Sequence, residues 1–182
     1  MSSKYKFRNP DGCYFVTFAV VCWIDVFTRQ VYRDILIESW KYCQQNKGLL
    51  IHAYVMMTNH VHMIISRNSG STLEDIMRDM KKFTSTGILK AIKAEPESRR
   101  DWMLAIFKEA GSENSNNTVY QFWQQDNHPI ECDAADILKQ KMSYVHENPV
   151  RAGFVEKPED WIYSSAGDYY ARRKGLIELS YV

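Results

Sequence analysis

Apolar and polar positions alternate along the chain in blocks whose periods predict its elements. Between Cys13 and Ile24 the chain reads Cys-Tyr-Phe-Val-Thr-Phe-Ala-Val-Val-Cys-Trp-Ile behind an Asn-Pro-Asp-Gly turn. A run so rich in β-branched and aromatic side chains predicts a long central strand. From Thr28, a residue able to cap a helix, Val31, Ile35, Ser39, Trp40 and Cys43 recur at a helical period until Gly48 stops it. Residues 50–57 and 60–66 are two short apolar runs joined at Met57-Thr58-Asn59, too close for anything but an antiparallel hairpin. Ser71 or Thr72 then caps a second helix, with Glu74 and Asp75 in its first turn and Leu73, Ile76, Met80, Phe83 and Gly87 on its buried side. Glu95-Pro96-Glu97 ends that helix, and a short amphipathic piece from Asp101 to Ala110 and a polar loop from Gly111 follow. Val119 to Gln125 alternates as a strand should, and Asp133 begins a helix that runs to Pro149.

The order is β-α-β-β-α-β with one extra helix. That predicts an α+β, ferredoxin-like fold: an antiparallel sheet with helices on one face, plus a C-terminal helix. Residues 1–182 form a single domain in this reading, with 95–118 as an insertion within it. A fold this common fixes no function.

Composition narrows the field only a little. The 182 residues suffice to bury a core, and Lys+Arg 23 against Asp+Glu 22 leaves a net charge of +1, so any basic surface must be local. Cys13, Cys22, Cys43 and Cys132 are scattered, without metal-binding or disulfide spacing, and read as reduced residues of a cytoplasmic protein. The N-terminus has no apolar signal core, and the longest apolar stretch is too short to span a bilayer, so no membrane partner is expected.

Chemistry enters at His60-Val61-His62, where the second hairpin strand begins. Residues two apart in a strand point to one face, so the two imidazoles form a candidate metal-ligand pair. Two ligands do not close a site, and a bare H-x-H taken alone reads first as one core or edge histidine and one incidental neighbour. On the last helix, Ile137, Lys141, Tyr144 and Asn148 fall within one stripe beside the apolar face of Leu138, Met142 and Val145. Tyr144 can be a packed ring and Asn148 merely the residue before a proline. A phenol one turn from a carboxamide, facing a His pair, is also what metal-assisted tyrosine attack on a phosphodiester requires.

Four segments carry a wider resemblance: Met57-Thr-Asn-His60-Val-His62-Met-Ile-Ile; Phe122-Trp-Gln; Tyr144-Val-His-Glu-Asn148-Pro-Val-Arg-Ala-Gly-Phe-Val; and Tyr163-Ser-Ser-Ala. From about Tyr14 to about Tyr169 the chain resembles the single-tyrosine HUH transposases, specifically the REP-associated tyrosine transposase branch. The resemblance implies that His60 and His62 hold a divalent cation, Mg²⁺ or Mn²⁺, that Asn148 completes the metal site, and that Tyr144 is the nucleophile. It implies cleavage of single-stranded DNA near a hairpin through a 5′-phosphotyrosine link, strand transfer by the freed 3′-OH, a cytoplasmic, nucleoid-associated protein, and action as a monomer or a homodimer. Two departures stand out. Branch members often carry Met-Pro-Asn-His where this chain has Met57-Thr58-Asn59-His60, and the segment before the tyrosine helix reads Gln124-Gln125-Asp126-Asn127-His128-Pro129. His128 reads as a turn residue, with a DNA contact or a further ligand as alternatives.

Candidate DNA contacts are Lys4, Lys6 and Arg8 on an N-terminal arm interleaved with Tyr5 and Phe7, the Arg78, Lys82, Ser85 stripe, and Arg151 after the tyrosine helix. A frayed tail and solvated charges are the alternatives. The competing function is a non-catalytic or domesticated single-stranded nucleic-acid-binding protein, stacking bases on Tyr14, Phe18, Tyr120 and Phe122. Helices covering those rings would make them core instead.

Overall fold

The computed structural model describes residues 7–68, 70–113, 119–125 and 127–181. Its elements are β1 (Tyr14–Ala19), α1 (Gln30–Lys47), β2 (Leu49–Met56), β3 (His60–Arg67), α2 (Leu73–Ala94), α3 (Arg100–Ser112), β4 (Ile130–Glu131), α4 (Ala135–Arg151) and α5 (Ala166–Tyr170). The four strands make one antiparallel sheet in the order β2-β3-β1-β4, the arrangement of a ferredoxin-like βαββαβ unit.

Alternation along the strands divides the side chains between two faces. Tyr14, Val16 and Phe18 of β1 and Val61, Met63 and Ile65 of β3 join the main core with α1, α2 and α3. Phe15 of β1 and Ile64 of β3 lie in a second cluster, on the opposite face, with Val145 of α4. The two early helices thus share one face, and the extra helix covers the other. In β2 a bulge between Ile51 and Ala53 shifts the alternation by one, so Tyr54 and Met56 stay in the main core while Ala53 and Val55 meet α4.

Gly48 ends α1 in the left-handed conformation at φ 75°, which glycine adopts without a Cβ penalty. Thr72 caps α2 by accepting from the Asp75 N–H at 3.1 Å. Other expectations need correcting. The strand from Cys13 stops at Ala19, because Cys22 and Trp23 turn into the left-handed region (φ 53° and 54°) within a short 3₁₀ segment. Thr28 caps nothing; Arg29 precedes α1 without a side-chain cap. Phe83 on α2 is 60% exposed, and the buried row instead runs through Met77, Met80, Thr84, Ile88 and Ile92. Thr84 is accommodated there because its hydroxyl donates to the Met80 carbonyl at 2.7 Å and accepts from the Trp123 indole at 3.0 Å.

The alternating run Val119–Gln125 forms only an isolated bridge, Val20 to Trp123. Phe122 and Trp123 are adjacent and both buried, which a half-buried strand forbids; the fourth strand is the two-residue β4, paired with Tyr14 and Phe15. The helix expected to stop at Pro149, α4, runs through it to Arg151. Proline here removes one intrahelical hydrogen bond without ending the helix. Within segment 95–118, α3 buries Met103 and Phe107 in the main core.

Candidate active site

The register of the sheet sets the two histidines. His60 pairs with Ala19 and His62 with Thr17, so both imidazoles leave β3 on the α4 side, with ring centroids 4.8 Å apart. His62 is 5% exposed: it stacks on Phe15 at 5.4 Å, meets the Tyr144 ring edge-on at 5.1 Å, and its Nδ1 lies 2.7 Å from the Thr17 hydroxyl. His60 is half-buried, edge-on to the exposed indole of Trp23 at 5.5 Å, and its Nδ1 is 2.7 Å from Asn59 Oδ1. Burial pushes both imidazoles toward the neutral form, His62 to about 3, with the charges of His60 and Lys141 adding to the effect. At His60 the Asn148 carboxamide and the Asp25 carboxylate oppose that fall.

The tyrosine arrives on α4, whose placement depends on residues outside the stripe read from the sequence. His146, fully buried, bonds Ser165 Oγ through Nε2 at 2.8 Å and Tyr170 Oη through Nδ1 at 3.0 Å. Ser165 Oγ also accepts from the Tyr54 N–H at 3.0 Å, and the segment around it pairs with the outer edge of β2 through a Val55–Ser164 bridge. One imidazole thus ties α4 to β2 and to α5. Two residues earlier, Tyr144 is held between His62, Phe15 at 5.8 Å, and Arg151, whose guanidinium carbon is 5.7 Å from the ring centre. That contact exists because α4 continues through Pro149, bringing Arg151 two turns beyond Tyr144 on the same face.

A cleft of about 250 Å³ opens beside the tyrosine, lined by Gln140, Lys141, Ser143, Tyr144 and Arg151. The Lys141 ammonium lies 4.9 Å from the centre of the Phe15 ring. Neither Lys141 nor Arg151 is ion-paired among the described residues, so the cleft carries two positive charges open to an anion.

His60, His62, Tyr144 and Asn148 therefore converge on one face, with Arg151 beside them. Arg78 and Lys82 do not join them: they lie on α2, across the sheet, and Arg78 is held by Asp75 at 2.5 Å and Asp79 at 3.0 Å. Arg8 is exposed, whereas Lys4 and Lys6 lie outside the described residues. Phe7 of the same arm is buried, edge-on to Tyr14. His128 is exposed in a loop with φ 42°. The sheet-stacking alternative loses its platform, because Tyr14, Phe18 and Phe122 are buried under α1, α2 and α3, and Lys93 covers the partly buried Tyr120. The sequence patterns do not single out Lys141 or His146. Lys141 stood in the stripe with Tyr144, but nothing in the sequence pointed His146 toward Ser165.

Among the described residues no three His, Cys, Asp or Glu side chains gather as a metal-binding group. Two neutral imidazoles with an adjacent carboxamide form an incomplete set of neutral donors. That set can hold a divalent cation whose remaining positions are taken by phosphate oxygens and water.

On this ferredoxin-like sheet a His pair faces a helix-borne tyrosine. The profile described as "Transposase IS200 like" matches residues 14–108, and the chain belongs to that family. Its fold is shared with a solved REP-associated tyrosine transposase bound to a REP hairpin, at TM-score 0.65 and 18% identity over 99% of this chain and 96% of the other. A protein described as a transposase from Deinococcus radiodurans R1 aligns at TM-score 0.41 and 17% identity over 81% of this chain and 97% of the other, below the level at which a common fold follows. No curated protein matches the sequence. No helix among the described residues is long and apolar enough to cross a membrane.

Proposed function

We propose that this transposase cleaves and rejoins single-stranded DNA beside a hairpin of the REP type, with Tyr144 as nucleophile. The observation that carries the reading is the edge-on contact of Tyr144 with His62 within one chain, next to a cleft lined by Lys141 and Arg151. The phenolic oxygen of Tyr144 attacks phosphorus and gives up its proton to solvent. A phosphorus–tyrosine bond forms while the bond to the 3′-oxygen breaks and that oxygen takes a proton from solvent, leaving a 5′-phosphotyrosine and a 3′-OH. Reversal by another 3′-OH rejoins strands, and no nucleotide cofactor is consumed.

His60, His62 and Asn148 hold the divalent cation, Mg²⁺ or Mn²⁺. When bound, it polarises the scissile phosphate and offsets charge that builds up on the phosphate oxygens. Lys141 and Arg151 bring the phosphodiester into the cleft and orient it toward Tyr144, while Phe15 and His62 restrict the ring. Arg8, with Lys4 and Lys6, contacts flanking DNA, and Arg78 and Lys82 serve only strands that reach across to α2. The chain works as one domain with 95–118 as an insertion, on nucleoid DNA in the cytoplasm. Tyrosine and histidines from one chain support a site complete in a single copy.

The test is incubation with a single-stranded hairpin oligonucleotide and Mn²⁺, followed by denaturing electrophoresis. The wild type gives a covalent protein–DNA species; Tyr144→Phe gives none and still binds the oligonucleotide. An adduct formed equally by the Phe variant sinks the proposal.

A further inference from the structure

We infer that Asn59 is a positioning residue that fixes His60 as its Nδ1–H tautomer and so presents Nε2 to the cation. The inference rests on His60 being a ligand and extends that reading to the neighbour that selects the ligating nitrogen.

The amide of Asn59 can face only one way. Asn59 Nδ2 lies 3.1 Å from the Trp23 carbonyl oxygen and 2.9 Å from Asp25 Oδ1. A carbonyl and a carboxylate can only accept, so the atom facing them must be the amide NH₂. The carboxamide therefore cannot be turned round, and its oxygen faces His60 Nδ1 at 2.7 Å. An amide oxygen only accepts, hence Nδ1 carries the hydrogen. A ring that ligates a cation is the neutral form, so with the hydrogen on Nδ1 the lone pair is on Nε2.

The backbone is shaped to supply those two acceptors. Cys22 and Trp23, neither of them glycine, adopt φ 53° and 54°, and two successive left-handed residues are costly unless the surroundings hold them. The Asn59 bond to the Trp23 carbonyl and the Val20 N–H bond to the Asn59 carbonyl oxygen, at 2.9 Å, stitch this turn to the hairpin loop. His62 has no such director: its Nδ1 faces the Thr17 hydroxyl, which can donate or accept. One ligand is preset in its tautomer and its neighbour adapts, a division in which the outer partner tunes the metal site.

The experiment uses the full-length, metal-free protein with ¹⁵N-labelled histidine. Long-range ¹H–¹⁵N correlation spectra distinguish protonated from bare ring nitrogens. In the wild type, His60 shows Nδ1–H and a bare Nε2; an Nε2–H form overturns the inference without recourse to any variant. Asn59→Ala gives a mixture of His60 tautomers and weakens Mn²⁺ binding by calorimetry about 10- to 100-fold. Thr17→Val, which removes the partner of His62, leaves the His60 signals in place. Unchanged His60 tautomer and Mn²⁺ affinity in Asn59→Ala overturns the clamp while His60→Ala still abolishes binding. Unchanged Mn²⁺ affinity in His60→Ala removes the ligand reading beneath it.

Discussion

His146 gives the strictest test of how α4 is held, because its contribution to stability depends on pH with a definite sign. Its ordinary value of 6.5 is lowered to about 4 by burial in a site whose two partners, Ser165 and Tyr170, hold a neutral ring. The unfolded chain takes up the proton first as pH falls, so the stabilisation is fully present above about pH 6.5, declines below it, and levels off beneath about pH 4. At about 1.4 kcal/mol per unit the whole shift is worth about 3 kcal/mol, of which about 2.5 is gone by about pH 4.5. In His146→Leu the titration disappears. At about pH 7.5 the variant loses two hydrogen bonds, about 1 kcal/mol each, and leaves no orphaned group, because Ser165 keeps Tyr54 and the Tyr170 hydroxyl reaches solvent. Urea unfolding of both proteins at the two pH values reads the difference. The wild type is about 2 kcal/mol more stable at the higher pH, and the two are nearly equal at the lower. Histidines common to both proteins cancel in the comparison. A stability gap that is the same at both pH values refutes the reasoning.

Lys141→Ala should weaken binding of a single-stranded oligonucleotide in EDTA and make the log–log salt dependence shallower by about 0.7, the share of one phosphate contact. Phe122→Ala removes a ring packed on Phe107, Phe27 and Trp123 and should cost about 3–5 kcal/mol in urea unfolding. Thr72→Ala, which deletes the α2 cap, should cost about 1 kcal/mol by the same measurement. His62→Ala should yield no covalent adduct at any Mn²⁺ concentration while retaining oligonucleotide binding, as followed by fluorescence anisotropy.

Local chemistry was legible in the sequence wherever one residue type does one job. Gly48 had to end a helix, Ser71 or Thr72 had to begin one, and a three-residue link at Met57–Asn59 could only close a hairpin that opens β3 on His60. The local pattern misleads where tertiary contacts override a period. Phe83 fits the period of α2 as well as Thr84 does, yet only Thr84 sits where Trp123 can donate to it, and Phe83 is left in solvent. The run 119–125 alternates as a strand should, but the adjacent burial of Phe122 and Trp123 against α2 and α3 takes it out of the sheet.

The sequence by itself determined the α+β, ferredoxin-like class, the shared face of His60 and His62, and the stripe that carries Tyr144 and Asn148, because period and chirality alone decide which neighbours in a chain point together. Only the tertiary structure decided that α4 lies on the open face of the sheet, that Arg151 continues its helix past Pro149, and that Lys141 and Arg151 flank a cleft. Those outcomes depend on which apolar face finds which partner across the chain. Here that partner is fixed by a bulge at Ile51–Ala53 and by a buried imidazole reaching from residue 146 to residue 165.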